Sequence, residues 1–129
     1  MRRLLALPVL LALAKPAAAT EWVSCSAGAE GASVDVLVGL GLDVIAISAA
    51  RIEAGGKKWA TDAAGDQKII VGQGFEDVDK MIVDFTDDGM SRIVASLRLF
   101  KASDGDSTAT GGTLRVAGVG AWAVACSGP

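Results

Sequence analysis

The sequence contains no histidine and no tyrosine. Without histidine the chain cannot build a Ser-His-Asp triad or a Cys-His pair, and zinc would have to rely on carboxylates and thiols. The glycines of Gly39-Leu40-Gly41 lack the third glycine and the following helix that phosphate binding requires. We therefore expect neither enzyme activity nor a cofactor.

Cysteine is scarce: Cys25 and Cys126 are the only two. Because the sequence has no C-x-x-C spacing, a redox-active pair is not expected. In an oxidising compartment two such residues, one near each end of the exported chain, predict a disulfide. That bond requires Cα atoms within about 7 Å of each other, so the first and last structural elements should be neighbours.

Apolar runs long enough to cross a bilayer, which takes about 20 residues, are also missing. The amino-terminal segment has a basic start at Arg2-Arg3, an apolar run over residues 4–14, and Ala17-Ala18-Ala19 after Lys15-Pro16. This order predicts a Sec-type signal peptide over residues 1–19, cleaved near Ala19. We expect a single periplasmic or secreted domain over residues 20–129, with no membrane span.

Basic residues are outnumbered. The whole chain has a net charge of −3, and beyond residue 19 nine basic residues face fifteen acidic ones, for a net charge of −6. Nucleic acid is not expected as a partner, because phosphate recognition needs clusters of Lys and Arg. The acidity fits a cationic partner or divalent cations, although solubility alone is a sufficient explanation.

Short β-prone segments follow one another at roughly 8–12-residue spacing, from residues 22–25 to residues 122–126. They predict an all-β fold: a small antiparallel sandwich or barrel of about eight strands whose terminal strands are joined by the disulfide. Residues 44–52 and 77–81 are also compatible with short helices. In residues 92–100, alternation predicts two faces, one with Ile93, Ala95, Leu97 and Leu99, the other with Val94, Ser96, Arg98 and Phe100.

Three acids lie around one turn signal. Asp87-Asp88-Gly89 between two alternating segments predicts a hairpin in which Gly89 supplies a positive φ. The alternative is a calcium loop with Asp84, Asp87 and Asp88 as oxygen ligands, but the full spacing with a closing Glu is missing. We expect a solvated, charge-balanced hairpin end, with Arg92 near Asp87 or Asp88, and no metal site.

Aromatic residues are few, and the tryptophans suggest two roles. Trp22 and Trp122 precede the cysteines by three and four residues, which favours core packing. Trp59 follows Lys57-Lys58 and is the better candidate for an exposed binding surface. Glycine pairs at Gly72/Gly74 and Gly118/Gly120 indicate a bulge, a barrel corner, room for a facing Trp, or close approach of a ligand.

Residues 81–100 (MIVDFTDDGMSRIVASLRLF), with the polar stretch 101–112, resemble the central hairpin and following loop of bacterial periplasmic lysozyme inhibitors. Those small exported β proteins, often disulfide-linked, block a lysozyme with a protruding loop. That loop carries Ser-Gly followed by Tyr, whereas this chain has Ser103-Asp104-Gly105-Asp106, so no inhibitory residue is carried over. The resemblance implies a small, exported, non-catalytic protein.

These observations favour a non-catalytic binding module that captures a cationic protein such as a lysozyme. The candidate binding residues are Trp59, Ser103, Asp104 and Asp106. The alternatives are a carrier of a small apolar ligand, since small aliphatic side chains leave room inside a barrel, and a structural envelope protein.

Overall fold

The computed structural model describes residues 20–39 and 45–128, which form one antiparallel sheet of nine strands. The predicted signal peptide and the turn at Leu40-Gly41 lie outside the described residues. The strands are β1 (Thr20–Ser26), β2 (Ser33–Gly39), β3 (Ala46–Ala54), β4 (Lys57–Ala60), β5 (Ile69–Glu76), β6 (Lys80–Asp87), β7 (Ile93–Asp104), β8 (Ser107–Val116) and β9 (Gly120–Ser127). Single 3₁₀ turns lie at Gly28–Glu30 and Gly65–Gln67.

The sheet is barrel-like and nearly closed, which confirms the all-β prediction. Its strand order is β4-β3-β2-β1-β9-β8-β7-β6-β5. The two outermost strands approach each other through a parallel bridge between Ala60 and Lys68. The segment that was also compatible with a helix at 44–52 is strand β3 over its described part, and residues 77–79 form the β5–β6 turn.

Cys25 and Cys126 form the predicted disulfide, with their Cα atoms 4.0 Å apart. They are direct partners in the β1–β9 ladder, which has only three residue pairs and is the shortest ladder between named strands of the described sheet. The bond therefore links the first and last strands where backbone pairing is least extensive. A disulfide is compatible with an oxidising compartment outside the cytoplasm.

No helix within residues 20–39 and 45–128 is both long and apolar enough to span a bilayer.

The inward-facing side chains form one hydrophobic core. Aliphatic and β-branched residues dominate it because alternate positions on every strand point into the barrel. The largest fully buried side chains are Phe85, Ile52, Ile69, Leu97, Leu99, Leu114, Val34, Val36, Val83 and Val116.

A β-bulge in β7 overturns part of the predicted facing of residues 92–100. Phe85 pairs with Ala95, but the next residue, Thr86, pairs with Ile93, so Val94 is the extra residue. The bulge turns Ile93 outward, where it is 47% exposed, and buries Val94. From Ala95 onward the predicted alternation holds.

Residues 101–112 are not a loop, contrary to the comparison with the lysozyme inhibitors. Strands β7 and β8 stay paired out to Asp104 and Ser107, joined by the two-residue turn Gly105-Asp106. Gly105 adopts a φ of 59° at the first turn position, as in a type II′ hairpin. The stretch is a continuously paired hairpin, and its outer part, residues 102–109, is exposed.

Antiparallel strands place their connections alternately at two ends of the barrel. One end has the β5–β6 turn (77–79) and the β7–β8 turn (105–106). The opposite end has the β3–β4 turn (55–56), the β6–β7 turn (88–92) and the β8–β9 turn (117–119). Each of these two ends holds a cavity.

Candidate functional site

The barrel opens into a cavity of about 670 Å³ at the end that carries the β7–β8 turn. Its floor contains Val23 and Val38, both 4% exposed, which are inward-facing residues of β1 and β2. The wall and rim come from β1, β5, β7, β8, the β5–β6 turn and the residue after β9: Glu21, Glu76, Val78, Asp79, Lys101, Ala102, Ser103, Thr108, Thr110 and Gly128. The arrangement is an apolar floor beneath a polar rim, a common form of ligand-binding pocket.

The rim carries an excess of negative charge. Glu21 and Asp79 line the cavity, and Asp104 and Asp106 extend from it on the β7–β8 hairpin. All four side chains are exposed, and none forms an ion pair within the described part of the chain. We call this surface, defined by Glu21, Asp79, Asp104 and Asp106 around the cavity, the acidic end.

Lys101 is the one basic residue that lines the cavity, and it is already paired. Its Nζ lies 3.2 Å from Oε2 of Glu76 and donates a hydrogen bond to the backbone oxygen of Asp77 at 3.1 Å. Its backbone N–H donates to the oxygen of Asp79 at 2.8 Å. These contacts attach the β5–β6 turn to β7 and leave the charge of the four rim acids unbalanced.

Asp77 stabilises the β5–β6 turn. Its Oδ1 accepts hydrogen bonds from the backbone N–H groups of Asp79 and Lys80, both at 2.8 Å. The bond from Asp79 is the largest influence that lowers the pKa of this carboxyl below its ordinary value of 3.8. The turn that positions Asp79 at the rim is therefore held by a carboxylate that stays ionised near neutral pH.

The structure separates the predicted binding residues into two groups. Ser103, Asp104 and Asp106 lie together at the acidic end, and Ser103 lines its cavity. Trp59 lies at the opposite end of the barrel, where it lines a second cavity of about 890 Å³. Its side chain is half-buried and packs against the core, because it pairs with the buried Ile52.

Trp22, predicted in the core, is instead on the outer face and 38% exposed. Its neighbour Val23 faces inward, so Trp22 must face outward. The guanidinium carbon of Arg51 lies 4.6 Å from the centroid of its ring, a cation–π contact. Trp122 does face the core, and its ring covers Gly120, where an added Cβ would lie 2.9 Å from it.

Asp84, Asp87 and Asp88 enter three different contacts. Asp84 is buried on the outer face of β6, with Oδ1 2.9 Å from Nη2 of Arg98. Asp88 pairs with Lys68 at 3.7 Å. Within the described residues no three His, Cys, Asp or Glu side chains are close enough together to hold a metal ion.

Asp87 binds within its own turn. Its carboxylate accepts hydrogen bonds from the Ser91 hydroxyl and from the backbone N–H groups of Ser91, at 2.7 Å, and Arg92, at 3.2 Å. The Ser91 hydroxyl contributes most to lowering the pKa of this carboxyl below 3.8. Arg92 thus approaches Asp87, as predicted, but through its backbone rather than through an ion pair.

Sequence reasoning missed the cavity floor and the Lys101–Glu76 pair. Val23 and Val38 are ordinary strand residues in the sequence, and only the sheet order places β1 and β2 around one opening with β7. Treating residues 101–112 as a loop also hid the strand position of Lys101. The alternation of residues 95, 97 and 99, extended by one step, was the available signal for an inward-facing residue 101.

The chain matches no protein-family model, no curated protein sequence and no solved structure.

Proposed function

We propose that this chain is a non-catalytic binding module, exported to the periplasm or secreted, that captures a cationic protein at the acidic end. The observation that carries the proposal is the set of four exposed rim acids, Glu21, Asp79, Asp104 and Asp106, which have no ion-pair partner within the described residues. Their potential is not cancelled by Lys101, because Glu76 neutralises that residue.

The shape of this end suits a protein partner. The β7–β8 hairpin projects Asp104 and Asp106 beyond the cavity, and ladder pairing down to its two-residue turn restricts its motion. A rigid hairpin loses little conformational entropy on binding, so more of the contact energy appears as affinity. Complementary charge mainly accelerates association and selects the partner. Lysozymes, which are strongly cationic, are the first candidates, in keeping with the resemblance of residues 81–100.

The test is binding of the disulfide-linked chain to a cationic lysozyme, measured at low and at high salt. Attraction between exposed charges should weaken once the Debye length falls well below about 10 Å. We expect Asp104→Asn/Asp106→Asn to slow association markedly. Asp62→Asn/Asp66→Asn is the matched control, because it removes two exposed acids outside the acidic end. Absence of binding at low salt, or equal effects of the two double variants, would refute the proposal.

The cavity favours a second candidate, a carrier of a small apolar ligand. Its volume of about 670 Å³ lies within the range of roughly 300–1,000 Å³ of small-molecule sites, and its floor is apolar. An environment-sensitive apolar dye should bind the wild-type chain. Val38→Phe, which fills the floor, should abolish dye binding while leaving lysozyme capture unchanged. Dye binding that survives this substitution would remove the carrier hypothesis.

A further inference from the structure

The end of the barrel opposite the acidic end has the reverse chemistry. Its cavity of about 890 Å³ is lined by Lys57, Lys58, Trp59 and Arg92, and Asp66 is the one acid among its described lining residues. Apolar contacts come from Val94 and Val119. We call this cavity the Trp59 pocket.

Sheet register explains why an aromatic ring and a cation meet there. Lys57 pairs with Ala54 and Trp59 pairs with Ile52, and both partners are buried in the core. Residues two apart on a strand share a face, so Lys57 and Trp59 lie on the inner face of β4, one above the other. Lys58 lies on the other face, where its Nζ is 3.5 Å from Oε1 of Glu53.

Arg92 reaches the same pocket from the β6–β7 turn. Within the described residues, neither Lys57 nor Arg92 forms an ion pair. Asp87 offsets part of the charge of Arg92, because the guanidinium is, after the Ser91 hydroxyl, among the groups that lower the pKa of that carboxyl. Neither cation is within ion-pair distance of a described carboxylate, so both can still attract an anion. The planar guanidinium suits a carboxylate or a phosphate in particular. The half-buried indole beside them offers an apolar edge or face to a ring.

We propose that the Trp59 pocket binds an anionic ring compound, whose ring packs against Trp59 and whose carboxylate contacts Lys57 and Arg92. Both an acidic saccharide and an aromatic carboxylate have this chemistry. The pocket is separate from the acidic end, so one chain would hold a cationic protein at one end and a small anion at the other.

The experiment titrates the disulfide-linked chain at low salt with glucuronate, benzoate and inorganic phosphate, and follows tryptophan fluorescence and heat of binding. We expect a ring anion to bind at least about tenfold more tightly than phosphate. Tighter binding of glucuronate assigns the saccharide, and tighter binding of benzoate assigns the aromatic acid.

Two arginine variants test the location. Arg92→Gln should weaken binding of the ring anion about tenfold, the loss expected for one charge-assisted hydrogen bond. Arg115→Gln removes the same charge from an exposed position of β8 outside the pocket and should change nothing. Lys57→Gln, on β4 rather than in the β6–β7 turn, is an independent pocket variant and should also weaken binding of the ring anion. The proposal is overturned if neither ring anion binds at millimolar concentration, if phosphate binds as well as they do, or if Arg92→Gln and Arg115→Gln behave alike.

Discussion

Arg98 holds its guanidinium against the carboxylate of Asp84, with Nη2 2.9 Å from Oδ1, on the outer face of the sheet. Asp84 is only 8% exposed, although its face of the barrel is the solvent side. Nη1 of Arg98 also donates hydrogen bonds to the backbone oxygens of Leu97, at 3.1 Å, and Val83, at 3.3 Å. One side chain therefore balances a buried charge and links β6 to β7.

Removing Arg98 should be far costlier than removing Arg92. Arg98→Ala leaves the buried carboxylate of Asp84 without its counter-ion, and we expect a loss of about 1–3 kcal/mol in the free energy of unfolding. Arg92→Ala removes an exposed side chain that forms no ion pair within the described residues. The free energy of unfolding should therefore fall by less than about 1 kcal/mol. Urea denaturation of the two variants checks the difference.

The double variant Arg98→Ala/Asp84→Asn isolates the pair. If the charge of Asp84 causes the loss, the double variant should be less destabilised than the sum of the two single variants. Equal losses for Arg98→Ala and Arg92→Ala would show that burial of Asp84 does not depend on its counter-ion.

The positions of the tryptophans were largely available from the sequence. In a β1–β9 pair joined by Cys25 and Cys126, residues an even number of positions from each cysteine share its face. Trp122 is four positions from Cys126 and faces the core, whereas Trp22 is three from Cys25 and faces outward. The error about Trp22 came from judging it by its nearness to the cysteine and ignoring the parity of its position.

Other features could not be read from local pattern. The bulge at Val94 inverts the facing of Ile93, and such an insertion depends on how two strands pair across the hairpin. The positive φ expected at Gly89 falls on Met90, at 54°, because the turn is longer than a two-residue hairpin. The acidic end likewise depends on sheet order, which brings Glu21 and Asp104, 83 positions apart in the sequence, to one end of the barrel.

Loss of the disulfide should destabilise the barrel strongly. It closes a loop between residues 101 positions apart and joins the two strands whose ladder has three residue pairs. The chain-entropy estimate for a loop of this length sets an upper bound of about 4–5 kcal/mol. Urea denaturation of Cys25→Ser/Cys126→Ser, compared with the oxidised wild type, measures the loss. A loss below about 1 kcal/mol in the free energy of unfolding would mean that β1 and β9 stay paired without the disulfide.

Substituting alanine for either of two exposed turn glycines should change the stability of the chain in opposite directions. Gly56 has a φ of 74° and open space around a hypothetical Cβ, so Gly56→Ala adds strain alone and should cost about 1 kcal/mol. Gly89 has the same open space without a positive φ. Gly89→Ala should stabilise the chain by about 0.4–1 kcal/mol, since it reduces the freedom of the unfolded state. Melting temperatures that shift in the same direction for both variants would contradict the assigned turn conformations.

Calcium should not stabilise this protein through residues 84–88. Asp84 contacts Arg98, Asp87 binds within its own turn and Asp88 pairs with Lys68, so the three carboxylates are already engaged separately. The melting temperature in millimolar calcium should equal that in a chelator, because a ligand that does not bind the folded state does not shift the folding equilibrium. A calcium-dependent rise that disappears in Asp87→Asn would overturn this interpretation.

Acid should weaken the two turns that Asp77 and Asp87 hold. Both carboxyls have a pKa below 3.8 in the folded chain, Asp77 first through the backbone N–H of Asp79 and Asp87 first through the Ser91 hydroxyl. A group whose pKa is lower in the folded than in the unfolded state stabilises the fold when the pH is above its unfolded-state pKa. This contribution disappears as the pH falls through its folded-state pKa. The melting temperature should therefore decline as the pH drops from near 3.8 downward.

Asp77→Asn and Asp87→Asn should each flatten that decline, since asparagine can still accept the backbone hydrogen bonds but does not titrate. Asp62→Asn is the control, because Asp62 is exposed and accepts no hydrogen bond from the described residues, so its substitution should leave the acid profile unchanged. An acid profile that Asp77→Asn and Asp87→Asn leave as steep as the wild type would show that these turns do not govern the acid response.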